Sequence, residues 1–312
     1  MTATTTPRLP GPARASRGAE SSADRGILSE FDRRKPSVRI TMTAVHVLLF
    51  VGLVVAGLGP LLWLAKAAVT ATQDSISTPL LLWPNGIDWA NLQAAWVEVE
   101  VGKYFFNTLI IAGGSWLSTL FIATTGAYVL SVLRPKYAAI LNGAVLATLF
   151  IPSVVLLVPL YLTIVRPVIG TSLLNNYLAV WLPAAANAFN ILLVKRFFDN
   201  LPREVFEAAR TDGAGPFRVF WSIVLPMSRP ILGVVSVFAI IASLKDYLWP
   251  SLVLPDPAAQ PLGVRLPAIA SQTELDVFLA ALAIATIVPV VLFLLFQRVF
   301  LRSAGLGGAV KG

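Results

Sequence analysis

Glu207-Ala208-Ala209-Arg210-Thr211-Asp212-Gly213-Ala214, continued by Gly215-Pro216 and closing on Ile223-Val224-Leu225-Pro226, is a polar stretch inside a chain that is otherwise largely apolar. Pro202 stands just ahead of it, at a first helical position where a missing N–H costs nothing. Arg203 to Asp212 then propagates on good helix formers, and Gly213 is placed to end the helix in the left-handed conformation. Val205, Phe206 and Ala209 fall on one side of that helix, while Arg203, Glu207 and Arg210 make a charged stripe on another. A second short helix is expected after Gly215-Pro216, carrying Phe217, Phe220 and Ile223 and stopping before Pro226. Two such helices at a sharp angle form a knob too small for an enzyme domain. Its geometry suits docking, with an apolar side for its own chain and a charged side for a partner.

Outward from this insert the sequence is membrane-grade. Of its 312 residues 56% are hydrophobic and only 13% charged, about half the charged share of a soluble domain. Apolar runs between charges and Gly/Pro punctuation give six expected spans, near 42–65, 104–133, 137–165, 177–194, 229–250 and 276–297. The expected fold class is therefore all-α, a polytopic membrane protein. Nineteen Lys and Arg lie in the N-terminal tail, the turn at Arg134 and Lys136, the segment between spans four and five, and the C-terminal tail. Four (Lys66, Lys103, Arg166 and Arg265) lie on the opposite side, with Lys245 near it. Cytoplasmic flanks carry the positive excess, so both termini and the insert are expected in the cytoplasm.

The expected organisation is a disordered basic tail over 1–40, a transmembrane domain over 41–302 containing the insert 198–228, and a cytoplasmic tail over 303–312. Residues 66–103, with Trp83, Trp89 and Trp96 around Pro84, suit an external connection with interfacial aromatic anchors. Residues 251–275, with Pro255, Pro257, Pro261 and Pro267, suit a stiff extended loop rather than a helix.

Several function classes fall away. There is no cysteine, hence no disulfide, thiolate site or cysteine nucleophile, and the single histidine, His46, cannot make a histidine metal cluster. No metal site and no catalytic residue is expected. The net charge of +8 reports orientation rather than nucleic-acid binding. Some forty polar residues precede the first apolar run, unlike a secretory signal, and neither end carries a lipidation box. No G-x-x-x-x-G-K-[ST] loop is present, so any ATP must be bound by another chain. Gly113-Gly114-Ser115 is superficially similar to a serine-nucleophile turn, but His46 is the only base to serve it.

Three spans look built for close packing or for lining a pathway. Gly114 and Ser118 are a small-xxx-small pair in span two, and Pro152 and Pro159 kink span three. Pro183, Asn187 and Asn190 share one face of span four, where the two amides serve either interhelical hydrogen bonds or a polar pathway. Lys245 and Asp246 sit near the outer end of span five. Lys245 either snorkels outward or joins Asp246 in lining the pathway, and adjacent residues do not share a helix face.

Glu207-Ala208-Ala209, three residues, Gly213, nine residues and Ile223-x-Leu225-Pro226 resembles the EAA loop of ABC-importer permeases. Leu201-Pro202-Arg203-Glu204 and Asp212 are similar to the carbohydrate branch, the second permease of maltose-type importers (MalG-like). The likeness extends to Tyr104-Phe105-Phe106-Asn107-Thr108-Leu109, Ile151-Pro152, Pro159-Leu160-Tyr161, Tyr247-Leu248-Trp249-Pro250 and the tail Gly305 to Gly312.

The resemblance implies a type I importer permease in a bacterial inner membrane, working as a heterodimer with a second permease. Two ATP-binding subunits and an extracytoplasmic sugar-binding protein would complete the assembly, with membrane lipid around it and no cofactor of its own. Glu207, Ala208, Ala209, Asp212 and Gly213 would couple it to an ATPase, and Asn187, Asn190, Lys245 and Asp246 are the pathway candidates. Leu244-Lys245 stands where many relatives have Trp-Asn, which leaves a sugar contact on span five unassigned. The rival reading is an ion-coupled secondary transporter, for which Asp246 is the only membrane-depth acid and the knob has no use.

Overall fold

Pro36 opens the first helix of the computed structural model, which describes residues 35–306 apart from 79, 80, 82, 84, 85 and 169. Residues 1–34 of the tail expected over 1–40, Pro84, and residues 307–312 of the tail expected over 303–312 lie outside the described residues. Every regular element among the described residues is helical. In chain order they are α1 (Pro36–Ala67), α2 (Thr72–Ser77), α3 (Ala90–Val97), α4 (Val101–Tyr128), α5 (Ala138–Thr148) and α6 (Ser153–Val165). Then follow α7 (Leu178–Ala185), α8 (Ala188–Asp199), α9 (Arg203–Thr211), α10 (Pro216–Val219), α11 (Leu225–Met227) and α12 (Arg229–Lys245). Last come α13 (Leu248–Val253), α14 (Leu262–Ile269) and α15 (Leu275–Leu306). Two π-helical turns, Val129–Leu133 and Phe220–Val224, and a 3₁₀ turn at Pro257–Ala259 complete the set.

The chain divides at Pro60 into two compact units. Among its described residues the first unit is the N-terminal part of α1, where no side chain is buried and His46 is exposed. Starting at Pro36, this helix takes in residues expected in the tail, because proline is well tolerated in a first turn. The second unit is built around α4. Near one end of α4, Tyr104 and Val101 are buried with Leu262, Leu266, Ala280 and Ala281 of α14 and α15. Near the other, Ala123, Ala127 and Tyr128 are buried with Val194, Phe198, Ala209, Phe220 and Val224. Gly114 lies between them. A Cβ there would fall inside the ring of Trp181, so the missing side chain is what lets α7 reach α4.

Length and composition suffice for a span in α1, in α4 with its π turn (Val101–Leu133), and in Leu275–Leu295 of α15. The other three candidates are bent pairs, two of them breaking the spans expected at 137–165 and 177–194. The third span breaks between α5 and α6 with a bend of 109°. Pro152 does more than kink it: proline has no N–H for the ladder and disfavours helical geometry in the residue before it, so α5 ends and Pro152 becomes the N-cap of α6. The fourth bends by 45° between α7 and α8, and the segment Pro216–Met227 meets α12 at 79°. The expected fifth span also stops at Lys245 instead of 250, where Asp246 leaves helical geometry.

Broken helices leave carbonyls without intrahelical partners, and these must be satisfied locally. Pro183 cannot donate to Ala179, whose carbonyl accepts the Trp249 indole N–H at 2.9 Å instead. The Ala184 carbonyl, at the end of α7, accepts the Thr119 hydroxyl from α4 at 3.2 Å. The stiff extended loop expected over 251–275 is instead folded. It holds the end of α13, the 3₁₀ turn and α14, with Pro267 inside α14 and Leu262, Val264, Leu266 and Ile269 buried. Burying that face against α4 and α15 outweighs the lost proline hydrogen bond. Asn107 fixes this segment to α4, its amide donating to the carbonyls of Ala258 and Gln260 at 2.8 and 3.0 Å.

Candidate functional site

Two regions carry the residues singled out from the sequence: the knob between α8 and α12, and a cavity among the broken helices. In the knob, Pro202, expected as the first helical residue, takes the N-cap position instead, with φ −57 and ψ 128, and α9 follows. Glu204 lies in its first turn and Arg210 in its last, each at the end of the helix dipole that favours its charge. Gly213 has φ 72, the left-handed conformation expected of it. The Ala214 N–H reaches the Ala209 carbonyl at 2.9 Å, and the Gly213 N–H reaches that of Arg210 at 3.0 Å. That pair of bonds is a Schellman termination, which satisfies carbonyls that would otherwise be orphaned.

The two alanines of the knob have different surroundings. Ala209 is 6% exposed and packs with Tyr128, Val219 and Phe220, whereas Glu207, Ala208, Asp212 and Gly213 are exposed. Val205 and Phe206 are half-buried, as an inward side requires. Among the described residues Glu207 makes no ion pair, so its carboxylate is presented outward. Tyr128 secures the knob to α4: its hydroxyl donates to the Pro216 carbonyl at 2.7 Å, and its ring lies 5.0 Å from that of Phe220.

The helix expected to stop before Pro226 runs on to Met227 through the π turn Phe220–Val224. A wider turn ahead of a proline relaxes the backbone that its ring would otherwise strike. Phe220 is buried, Ile223 is half-buried, and Phe217 stays exposed, so only part of the expected apolar face is covered.

The second region is a cavity of about 430 Å³ lined from α4, α6, α7, α8, α12 and α13. Asn187, Asn190, Pro183 and Asp246 all line it, so the face predicted for span four is the face that meets the cavity. Asn187 stands at the break itself, where its side-chain oxygen accepts the Asn190 N–H at 3.1 Å and caps α8. Asp246, two residues ahead of α13, accepts the Trp249 N–H of its first turn at 3.2 Å. Lys245, the fourth pathway candidate, is exposed and takes no part in the wall. The break at Asp246 sends the two neighbours in different directions, and no ion pair joins them.

Sequence reading missed Ser115, Thr119, Ser153, Ser243 and Trp249, which complete the polar part of the wall. The signal for two of them was there: Ser115 and Thr119 are one helical turn apart on a face that also carries Thr108. The Ser115, Ser243 and Asn190 side-chain oxygens are buried without a protein partner, so the wall has hydrogen-bonding capacity to spare for water or a hydroxylated solute. Among the described residues Asp246 is the only charged one lining it. Among the described residues no group of three or more His, Cys, Asp or Glu comes together to hold a metal ion.

Comparison with known proteins bears on both regions. The family model described as binding-protein-dependent transport system inner membrane component matches residues 120–305, which contain the knob and most of the cavity wall. The chain is 30% identical over 250 residues to the diacetylchitobiose uptake system permease protein NgcG of Streptomyces coelicolor, covering 78% of this chain and 80% of that one. It is 32% identical over 285 residues to the probable ABC transporter permease protein YurM of Bacillus subtilis, covering 90% and 92%. Its fold matches a chain of a bacterial ABC transporter involved in the import of the acidic polysaccharide alginate. That match has a TM-score of 0.73 and 22% identity, and covers 85% of this chain and 97% of the other.

Proposed function

The chain belongs to the family of binding-protein-dependent transport system inner membrane components, and on that premise we propose that it is one permease subunit of a sugar importer. As a member of that family it is a component of a transport system and not an enzyme. A second permease completes the pathway as a heterodimer, two ATP-binding subunits supply the energy, and an extracytoplasmic sugar-binding protein delivers the solute. ATP is held by those partners, and this chain needs no cofactor of its own. Residues 41–302 form the membrane domain, with the tails over 1–40 and 303–312 and the insert 198–228 in the cytoplasm, as the positive excess on that side favours.

The two faces of α9 carry this reading. Ala209 and Phe206 anchor the helix to its own chain, while Glu207, Ala208, Asp212 and Gly213 are left for an ATPase. Glu207 offers a charge-assisted contact to a cation there, and Ala208 allows close approach. Because α9 packs on α4, α8 and the π turn Phe220–Val224, a push on it reaches helices that line the cavity. Rocking those broken helices against the partner permease would alternate access to the pathway. The wall, with Asn187, Asn190, Asp246 and serine and threonine hydroxyls but no cation, fits an uncharged sugar.

An ion-coupled carrier is disfavoured by family membership and would leave the outward Glu207 face unused. The test is Glu207→Lys, which should leave membrane insertion and expression unchanged and abolish uptake of the cognate sugar. Wild-type uptake by that variant would remove the coupling role from α9.

A further inference from the structure

At the end of the molecule that carries the knob, α4 runs into the π turn Val129–Leu133, and Arg134 follows in the left-handed conformation with φ 44. A non-glycine residue held there is strained and needs surrounding contacts to keep it. Arg134 has them: its Nε donates to the Ser131 carbonyl at 2.5 Å, and its Nη2 lies 3.2 Å from Asp199. Lys195 approaches the other oxygen of Asp199 at 2.8 Å, and the Ser131 hydroxyl donates to Asp199 at 2.7 Å. This network fixes the turn that presents Arg134, Pro135, Lys136 and Tyr137.

Beside the turn lies a groove of about 470 Å³, with Arg134, Lys136, Lys195, Ala138, Ala139 and Asn142 among its lining residues. Two of these cations, Arg134 and Lys195, share the Asp199 carboxylate, and among the described residues Lys136 makes no ion pair. The Asn142 side-chain oxygen is buried with no partner. Tyr137 is exposed at the N-terminus of α5, and that apolar helix buries none of its residues. An interfacial tyrosine followed by an exposed apolar helix sets the groove at headgroup depth.

We propose that this groove binds the headgroup of an anionic phospholipid. The phosphate lies against Arg134, Lys136 and Lys195, and a headgroup hydroxyl donates to Asn142. Basic pockets between membrane helices are suited to such headgroups. The site requires only that the chain spans a bilayer; the orientation proposed above decides which leaflet supplies the lipid.

The test is native mass spectrometry of the whole importer, purified with its partner subunits, delipidated, and titrated with phosphatidylglycerol or with phosphatidylcholine. Phosphatidylglycerol should be retained and phosphatidylcholine should not. Lys136→Ala should weaken retention roughly fivefold, the effect of one cation near a membrane surface. Ala139→Trp, which fills the groove from α5, should also weaken it. Equal retention of both lipids, or no loss in either variant, would overturn the proposal. So would displacement by millimolar inorganic phosphate, which would make the groove a site for the free ion, or loss of the ATPase with lipid retention unchanged, which would make it a subunit interface. Glu207→Lys is read out by uptake and not by lipid, so failure here is distinct from failure of the coupling reading.

Discussion

Asn187 and Asp246 form similar local turns, one between α7 and α8 and the other between α12 and α13. Their backbone angles are nearly the same, φ −79 and ψ 109 against φ −78 and ψ 109. Each accepts the N–H three residues on, and both line the one cavity. They differ in charge. Capping a half-helix needs an acceptor oxygen, which a neutral amide supplies as well as a carboxylate. The fold therefore accounts for Asn187 and for the shape of residue 246, but not for the charge at 246. That charge faces the cavity, and its role is to be sought in transport.

The two breaks also differ in what supports them, which sets the largest expected effect. The Asn187 break depends on α7 lying against α4, where Trp181 occupies the space over Gly114. Gly114→Ala puts a methyl group inside that ring, and α7 has to move away. The cost should be about 3 kcal/mol or more, at the upper end for overpacking. A marked fall in the thermal unfolding midpoint of the purified assembly, with lost uptake, is the expected outcome. An unchanged midpoint would mean that Trp181 has another rotamer available and that the α7 break does not rest on this contact.

How legible each region was follows from the range of the interactions that shape it. The knob is governed by neighbours in sequence: Pro202 ahead of a helix, Gly213 after it, Ala209 and Phe206 on one side. Those signals placed α9 to within a residue. The inward side of span four was legible for the same reason, since Pro183, Asn187 and Asn190 share a helical face. The 109° bend at Pro152 and the π turn before Pro226 were not, because proline announces a disturbance without saying whether a helix bends, breaks or widens. The folded segment 251–275 was misread because its prolines are tolerated only by virtue of the buried face of α14, and that face depends on residues of α4 far away in sequence. Exposure of Lys245 beside a half-buried Asp246 likewise depends on a break that no local pattern signals.

Removing the caps compares the two breaks directly. Asn187→Ala and Asp246→Ala each delete an acceptor from a helix N-terminus, and each should cost about 1 kcal/mol. Paired unfolding measurements on the assembly should show similar losses. A much larger loss for Asp246→Ala would mean that its carboxylate does more for the fold than cap α13, and the equivalence of the two positions would fail.

Asp246→Asn isolates the difference that remains. Asparagine is as good an N-cap as aspartate, so the Trp249 N–H keeps its acceptor and the unfolding midpoint should stay at the wild-type value. Uptake should not. A carboxylate accepts a hydroxyl hydrogen bond about twice as strongly as a neutral group, and losing that advantage against a sugar hydroxyl corresponds to roughly a tenfold fall in uptake rate. Asn187→Asp is the converse, adding a second carboxylate to the same wall while keeping the cap. If charge at 246 serves the solute, the two exchanges should leave stability alike and separate in transport. If Asp246→Asn transports like wild type, the carboxylate is surplus, and the solute meets this half of the pathway through hydroxyls and amides alone.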